Sequence, residues 1–208
     1  MSTTVSPLVN LNSVAPLRTR RFTVDDYHRM AKAGILTPQD RVELINGWIV
    51  SKMTLNPPHA ICLSKLDRRF GQMIPEECAV RCQLPITLGD DSEPEPDLVV
   101  ATGKDDDYGQ SHPGPQQVLL VIEVADSSLD IDRHEKLMLY ALHGLSEYWI
   151  VNLVDRQIEV YTDPVSTPQP TYRKRSIYLA DDQIPVVLAG KPLAQLLVKH
   201  FLPEAASA

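Results

Sequence analysis

Cysteine is scarce in this chain, with three among 208 residues, and aromatic side chains make up only 6%. The odd set Cys62, Cys78 and Cys82 argues against a disulfide-stapled secreted scaffold, which uses its cysteines in pairs. Cys78-x3-Cys82 has no second close pair that would complete four zinc ligands, so all three are expected to be structural thiols in a reducing cytoplasm. No apolar run comes near the roughly 18 to 20 residues that cross a bilayer. The opening stretch MSTTVSPLVNLNSVAPLRTRRF has no positive segment leading into an apolar one, and export is not expected. Positive charge is short as well: Lys+Arg is 20 against Asp+Glu 27, for a formal net charge of -7. That balance argues against a protein that coats nucleic acid through charge alone, although a local basic groove stays open. No Gly-rich phosphate loop, G-x-S-x-G elbow or H-E-x-x-H helix occurs, which removes P-loop NTPases, α/β-hydrolases and zincin proteases.

What is present suffices for one hydrophobic core, with 43% hydrophobic and 23% charged residues. Residues 1–20, rich in Ser, Thr, Asn and Pro, read as an arm outside a single domain over 21–200, with a short tail over 201–208. Thr23 is placed to cap a helix over VDDYHRMAKAG that stops at Gly34. RVELINGWIVSK holds two apolar segments around Asn46-Gly47, the dipeptide that best satisfies a type I′ turn, and predicts a hairpin. After Pro57-Pro58, the spacing of Ile61, Leu63, Leu66, Phe70 and Ile74 predicts an amphipathic helix. Strands are expected in CAVRCQLPITL, PDLVVAT and QVLLVIEVA, then a helix over DRHEKLMLYALHG with Asp132 as N-cap and Glu135 completing a capping box. EYWIVN and QIEVYT read as further strands, Pro164 to Pro170 as a surface connection, and KPLAQLLVKHF as a closing helix. The order predicts a mixed α/β domain around one sheet.

Glu123 is the anomaly. A carboxylate inside LLVIEVA is costly to bury unless a cation holds it or it sits at the strand's end. If PDLVVAT and QVLLVIEVA are antiparallel neighbours, Asp97 at the start of one meets Glu123 near the end of the other. Two hard oxygen donors at such a rim suit Mg²⁺ or Mn²⁺; the plainer alternative is a turn aspartate beside a salt-bridged buried acid. Lys136, one turn into the following helix, stands where the helix dipole disfavours a cation, so it can turn toward the two carboxylates, with Tyr140 on the same face. A solvated lysine paired with Asp132 or Glu135 is the competing reading. Glu43 points to the side of Ile45 in its strand and would add a third carboxylate if that side faces the same rim. His59 reads as a cap-region residue before a phosphate contact.

The run VELINGWIV, then PPH opening a helix, then EPDLVV, LLVIEVADSS and DRHEKLMLYALHGLSEYWIVN resembles the Uma-type family of the PD-(D/E)XK nuclease superfamily. The resemblance covers roughly Phe22 to Leu197. It implies a restriction-endonuclease-like fold, a mixed sheet flanked by helices, and a metal-dependent endonuclease that hydrolyses phosphodiester bonds in DNA with Mg²⁺ or Mn²⁺. Carried over, the pattern makes Asp97 the aspartate of the PD motif, Glu123 the acid of (D/E)XK and Glu43 the upstream acid, with the Val124 carbonyl as a further metal ligand. Ala125 stands where the motif has Lys, and the family's lysine is displaced onto the following helix, here Lys136.

Two other readings compete. One is a catalytically silent nuclease-like binding module, a homodimer through a sheet edge near Glu147 to Tyr161; the acidic balance favours it. The other is a phosphodiesterase acting on a small nucleotide in a closed pocket. The acids Asp90, Asp91, Glu93, Glu95, Asp97 and Asp105 to Asp107 are expected to cluster around the metal site. Basic groups at Arg18 to Arg21, Lys65 to Arg69 and Arg173 to Arg175 are the candidates for touching a phosphate backbone.

Overall fold

A computed structural model describes residues 19–53 and 55–204; most of the expected arm, including Arg18, and residues 205–208 of the expected tail lie outside the described residues. Helix α1 (Val24–Lys32) starts as its sequence predicts, with Thr23 Oγ1 accepting from the Asp26 amide and Asp26 returning the bond. Strands β1 (Val42–Ile45) and β2 (Trp48–Ser51) form the expected hairpin. Asn46 and Gly47 both take positive φ, 50° and 77°, which is why this dipeptide sits there. Helix α2 (Pro57–Met73) is capped by Asn56 and buries Cys62, Leu63, Leu66 and Phe70.

The central sheet has six strands in the order β3-β4-β5-β6-β7-β8. These are β3 (Cys78–Cys82), β4 (Leu98–Thr102), β5 (Val118–Ala125), β6 (Glu147–Asn152), β7 (Gln157–Val165) and β8 (Thr171–Leu179). All neighbours are antiparallel except β5 and β6, which are joined by the crossover helix that parallel pairing requires. That helix, α3, begins with Leu129–Ile131, passes through a π-helical turn over Asp132–Lys136 and continues as Leu137–Leu142. A last hairpin, β9 (Gln183–Leu188) and β10 (Lys191–Leu197), lies outside the sheet.

Strand alternation divides the core in two. Leu98, Val100, Ile122, Val124, Trp149 and Val151 face α2 and the β9–β10 hairpin. Val99, Ala101, Val121, Ala125, Tyr148 and Ile150 face α3, through Leu137, Tyr140 and Ala141. The same alternation puts Glu123, between Ile122 and Val124, on the α3 side.

Four expectations need correcting. KPLAQLLVKHF is strand β10 followed by a 3₁₀ turn (Val198–His200), because pairing with β9 across the turn at Ala189-Gly190 overrides its helix-like spacing. Pro164 and Val165 belong to β7, paired with Tyr172 and Thr171, so the connection to β8 shrinks to 166–170. Glu147 to Tyr161 forms no sheet edge: β6 and β7 are paired on both sides, and the edge strand is β8. Phe201 and Leu202 are buried, so the core runs past residue 200.

A second acid, Glu159 in β7, is fully buried and lies opposite Ile150 of β6, on the α3 side of the sheet. Arg175 donates to it at 2.8 Å, Tyr161 at 2.7 Å and Asn152 at 3.1 Å, and Arg133 forms a paired contact. Burial would raise its pKa, but these hydrogen bonds and the Arg175 charge win and hold it at about 2. A carboxylate held below its unfolded value, about 4.3, adds stability that is complete above that value and fades as pH falls toward 2. Glu159→Gln is therefore expected to lower the urea midpoint at pH 7 and to flatten the loss of stability between about pH 4.5 and 2. Equal pH dependence in wild type and variant would contradict this role.

Candidate active site

Asp97 immediately precedes β4, whose Leu98 pairs with Ile122 of β5, so the aspartate meets Glu123 across the two strands. The Asp97 amide lies 3.4 Å from Glu123 Oε2, and the Val124 amide donates to Asp97 Oδ2 at 2.8 Å. From α3, Lys136 Nζ donates to Glu123 Oε1 at 2.8 Å and the Tyr140 hydroxyl donates to the same oxygen at 2.7 Å. Lys136 is also 3.8 Å from Glu43 Oε1, while Glu43 Oε2 accepts from the Glu95 amide at 2.9 Å. Asp97, Glu123, Lys136 and Glu43 are thus gathered at one rim, each less than a tenth exposed.

Three environments set the local charge. Burial alone would raise Asp97, but His59, the Val124 amide and Lys136 hold its carboxyl below the usual range. Burial pushes Glu123 up, against the pull of Lys136. Burial would lower Lys136, but Glu123, Glu43 and Asp132 raise it well above an ordinary lysine, so the ammonium is firmly held.

Asp132 is not an N-cap. It lies inside the π-helical turn, almost fully buried, with Ser128 Oγ donating to it at 2.7 Å, and burial pushes its carboxyl up to about 6. Starting the helix at Leu129 and widening it at Asp132–Lys136 puts Asp132 and Lys136 on the side that faces Glu123. Single-turn π segments recur at functional sites for such repositioning.

Sequence reasoning ranked His59 as a cap residue, yet its Nε2 lies 3.0 Å from Asp97 Oδ2. Its Nδ1 is buried without a hydrogen-bond partner among the described residues. Gln83 was not singled out; it follows β3 with φ 49°, and its amide nitrogen reaches Asp97 Oδ1 at 3.3 Å. Glu95 pairs with Lys52 of the segment after β2. The positive φ of Gln83 and the strand-crossing contacts carry no local sequence signal. Asp105 to Asp107 sit beyond the other end of β4, away from Asp97, so the expected acidic cluster is smaller than the sequence suggested.

These groups line one cavity of about 390 Å³. Its carboxylates, Glu43, Glu95, Asp97, Glu123, Asp126, Asp132 and Glu135, outnumber the cations Arg41, Lys52 and Lys136. Among the described residues no three acidic, His or Cys side chains are already arranged as a ligand set; Lys136 occupies the space between Glu43 and Glu123. By donor type and charge the site fits a hard divalent cation, since it offers buried carboxylate oxygens in excess of local positive charge.

Removing the ammonium leaves Glu123 and Glu43 facing each other without a cation. Lys136→Met is expected to destabilise the fold by about 3 kcal/mol in urea unfolding at pH 7. Adding Glu123→Gln to that variant is expected to restore much of the loss. Additive losses would show that the two side chains do not depend on each other.

The description "Putative restriction endonuclease" belongs to the Uma2 family, whose model matches residues 24–194. A crystal structure of "a putative nuclease belonging to DUF820" from Anabaena variabilis superposes with a TM-score of 0.64 at 17% identity, over 86% of this chain and 97% of that one. No curated protein matches the chain. That neighbour shares the fold, and with the family's model matching residues 24–194, most of its length, the chain belongs to the Uma2 family.

Proposed function

We propose that the protein is a metal-dependent endonuclease that hydrolyses phosphodiester bonds in DNA. The observation that carries this reading is the buried meeting of Asp97, Glu123 and Lys136 in a cavity with excess carboxylate. Asp97, Glu123 and Glu43, with the Val124 carbonyl, would hold Mg²⁺ or Mn²⁺. Bound there, the ion would supply Lewis acidity, lowering the pKa of a bound water and offsetting charge on the phosphate.

The protein's own groups have distinct tasks in this scheme. His59 and the Val124 amide fix Asp97, so its carboxylate needs little reorganisation when it binds a cation. Tyr140 orients Glu123 through its hydroxyl. Lys136 stays protonated between two acids and serves as the donor that orients the attacking water and stabilises charge developing on the phosphate oxygens. The displaced lysine can do this because it rises from the π-helical turn on the same face as Glu123.

The test is nicking of supercoiled plasmid and cleavage of labelled oligonucleotides with Mn²⁺ or Mg²⁺. Asp97→Asn keeps the side chain's shape and is expected to cut the rate by about 10² to 10³-fold with an unchanged circular dichroism spectrum. Glu43→Gln is expected to lose less. Equal cleavage by wild type and Asp97→Asn would mean a contaminant or the wrong residues, and no cleavage of any nucleic acid would favour the silent module.

A further inference from the structure

We propose that the cavity's apolar wall is a base-stacking subsite built on Trp48, so that the site accepts an unpaired nucleotide rather than intact duplex. The inference rests on the endonuclease reading above and names its substrate class. In the β1–β2 register Glu43 lies opposite Val50 and Ile45 opposite Trp48. Directly opposed residues share a face of an antiparallel pair, and alternate residues along a strand do too. Glu43, Ile45, Trp48 and Val50 therefore all point into the same cavity, and all four line it. Trp48 stands diagonally from Glu43, a backbone separation of roughly 7 to 8 Å. That matches the reach of one nucleotide between the phosphate at the carboxylate end and its base at the indole.

The rest of the wall agrees. Met53, Leu55 and Ile131 complete an apolar surface beside the carboxylates. Trp48 is 43% exposed, and among the described residues no aromatic ring or guanidinium packs on it. In a chain with two tryptophans, the other, Trp149, is fully buried and donates to Glu147. A cavity of about 390 Å³ is at the small end for ligand pockets and holds one nucleotide, not a duplex segment. The net charge of -7 gives little general attraction for a phosphate backbone, and stacking supplies affinity that does not depend on it. An enzyme working on a nucleotide drawn out of a stack needs such a platform. The shared chemistry is a nucleobase linked to a phosphodiester, available from a single strand or from a small dinucleotide.

Because Trp149 is buried, quenching of tryptophan emission reports on Trp48. Wild-type protein with Mn²⁺ is titrated with a hydrolysis-resistant phosphorothioate oligothymidylate, with its duplex, with an abasic strand and with thymidylyl dinucleotide. Quenching by the single strand or the dinucleotide, and not by the duplex or the abasic strand, is expected; whichever of the first two binds tighter identifies the source. In fluorescence anisotropy of a labelled strand, Trp48→Ala is expected to weaken binding about tenfold or more, and Trp48→Phe to retain most of it. Equal binding of duplex and single strand, an unchanged Trp48→Ala, or no binding at all overturns the proposal. These readouts are independent of cleavage. Trp48-dependent binding without cleavage of either plasmid or labelled single-stranded oligonucleotide would leave the subsite standing and remove the hydrolysis. Nicking with no Trp48 dependence would do the reverse.

Discussion

The contact between the Lys136 ammonium and the Glu123 carboxylate, 2.8 Å apart in the interior, organises the site side of this fold. An ion pair out of water regains little net energy over apolar packing of the same volume, so stability alone does not account for it. Its surroundings hold the ammonium firmly, while burial works against the carboxylate's charge. Tyr140 gives Glu123 a second donor, Glu43 faces the ammonium from the hairpin, and a π-helical turn moves Lys136 and Asp132 to where they can act on the same group. With the lysine removed, four buried acids would share one rim.

The two buried glutamates of the sheet show how differently one problem is solved. Glu159 is met by two arginines, a tyrosine and an asparagine that together satisfy both oxygens and hold its pKa low. Glu123 is met by one lysine and one tyrosine on a single oxygen, while burial holds it up and Oε2 stays near the Asp97 amide. The saturated acid reads as a structural staple between β7, β8 and α3. The under-satisfied one opens onto a cavity and has capacity for a further positive group, which is the property expected of a ligand and not of a staple.

Local chemistry made much of this legible in advance. Asn46-Gly47 predicted its turn because both residues must adopt positive φ, and Thr23 predicted a helix start because its hydroxyl accepts an otherwise orphaned amide. The two apolar runs marked β4 and β5 as strands but left their antiparallel pairing as a condition; the structure meets it, and with it Asp97 meets Glu123. What stayed hidden depended on partners distant in sequence. KPLAQLLVKHF has helix-like spacing, and only β9 makes it a strand. The placing of β7 inside the sheet depended on β8, a strand the sequence does not announce. His59 sits at the first turn of α2, and nothing local reveals that this turn abuts the start of β4. Asp132 has the spacing of a cap, but Ser128 and burial drew the helix start upstream.

The opening charge deficit takes on a local meaning. Acids beyond β4, such as Asp105 to Asp107, lie away from the rim, while the cavity itself carries more carboxylates than cations. A divalent ion would balance that excess, and an apolar wall beside it would give a nucleobase somewhere to rest. Under the proposed function the cavity binds such an ion through Asp97. Isothermal titration of Mn²⁺ into wild-type protein and Asp97→Asn tests it most directly. Saturable binding by the wild type, lost or weakened about tenfold or more in the variant, is expected. The absence of saturable binding at millimolar Mn²⁺, or equal binding by both proteins, would contradict it.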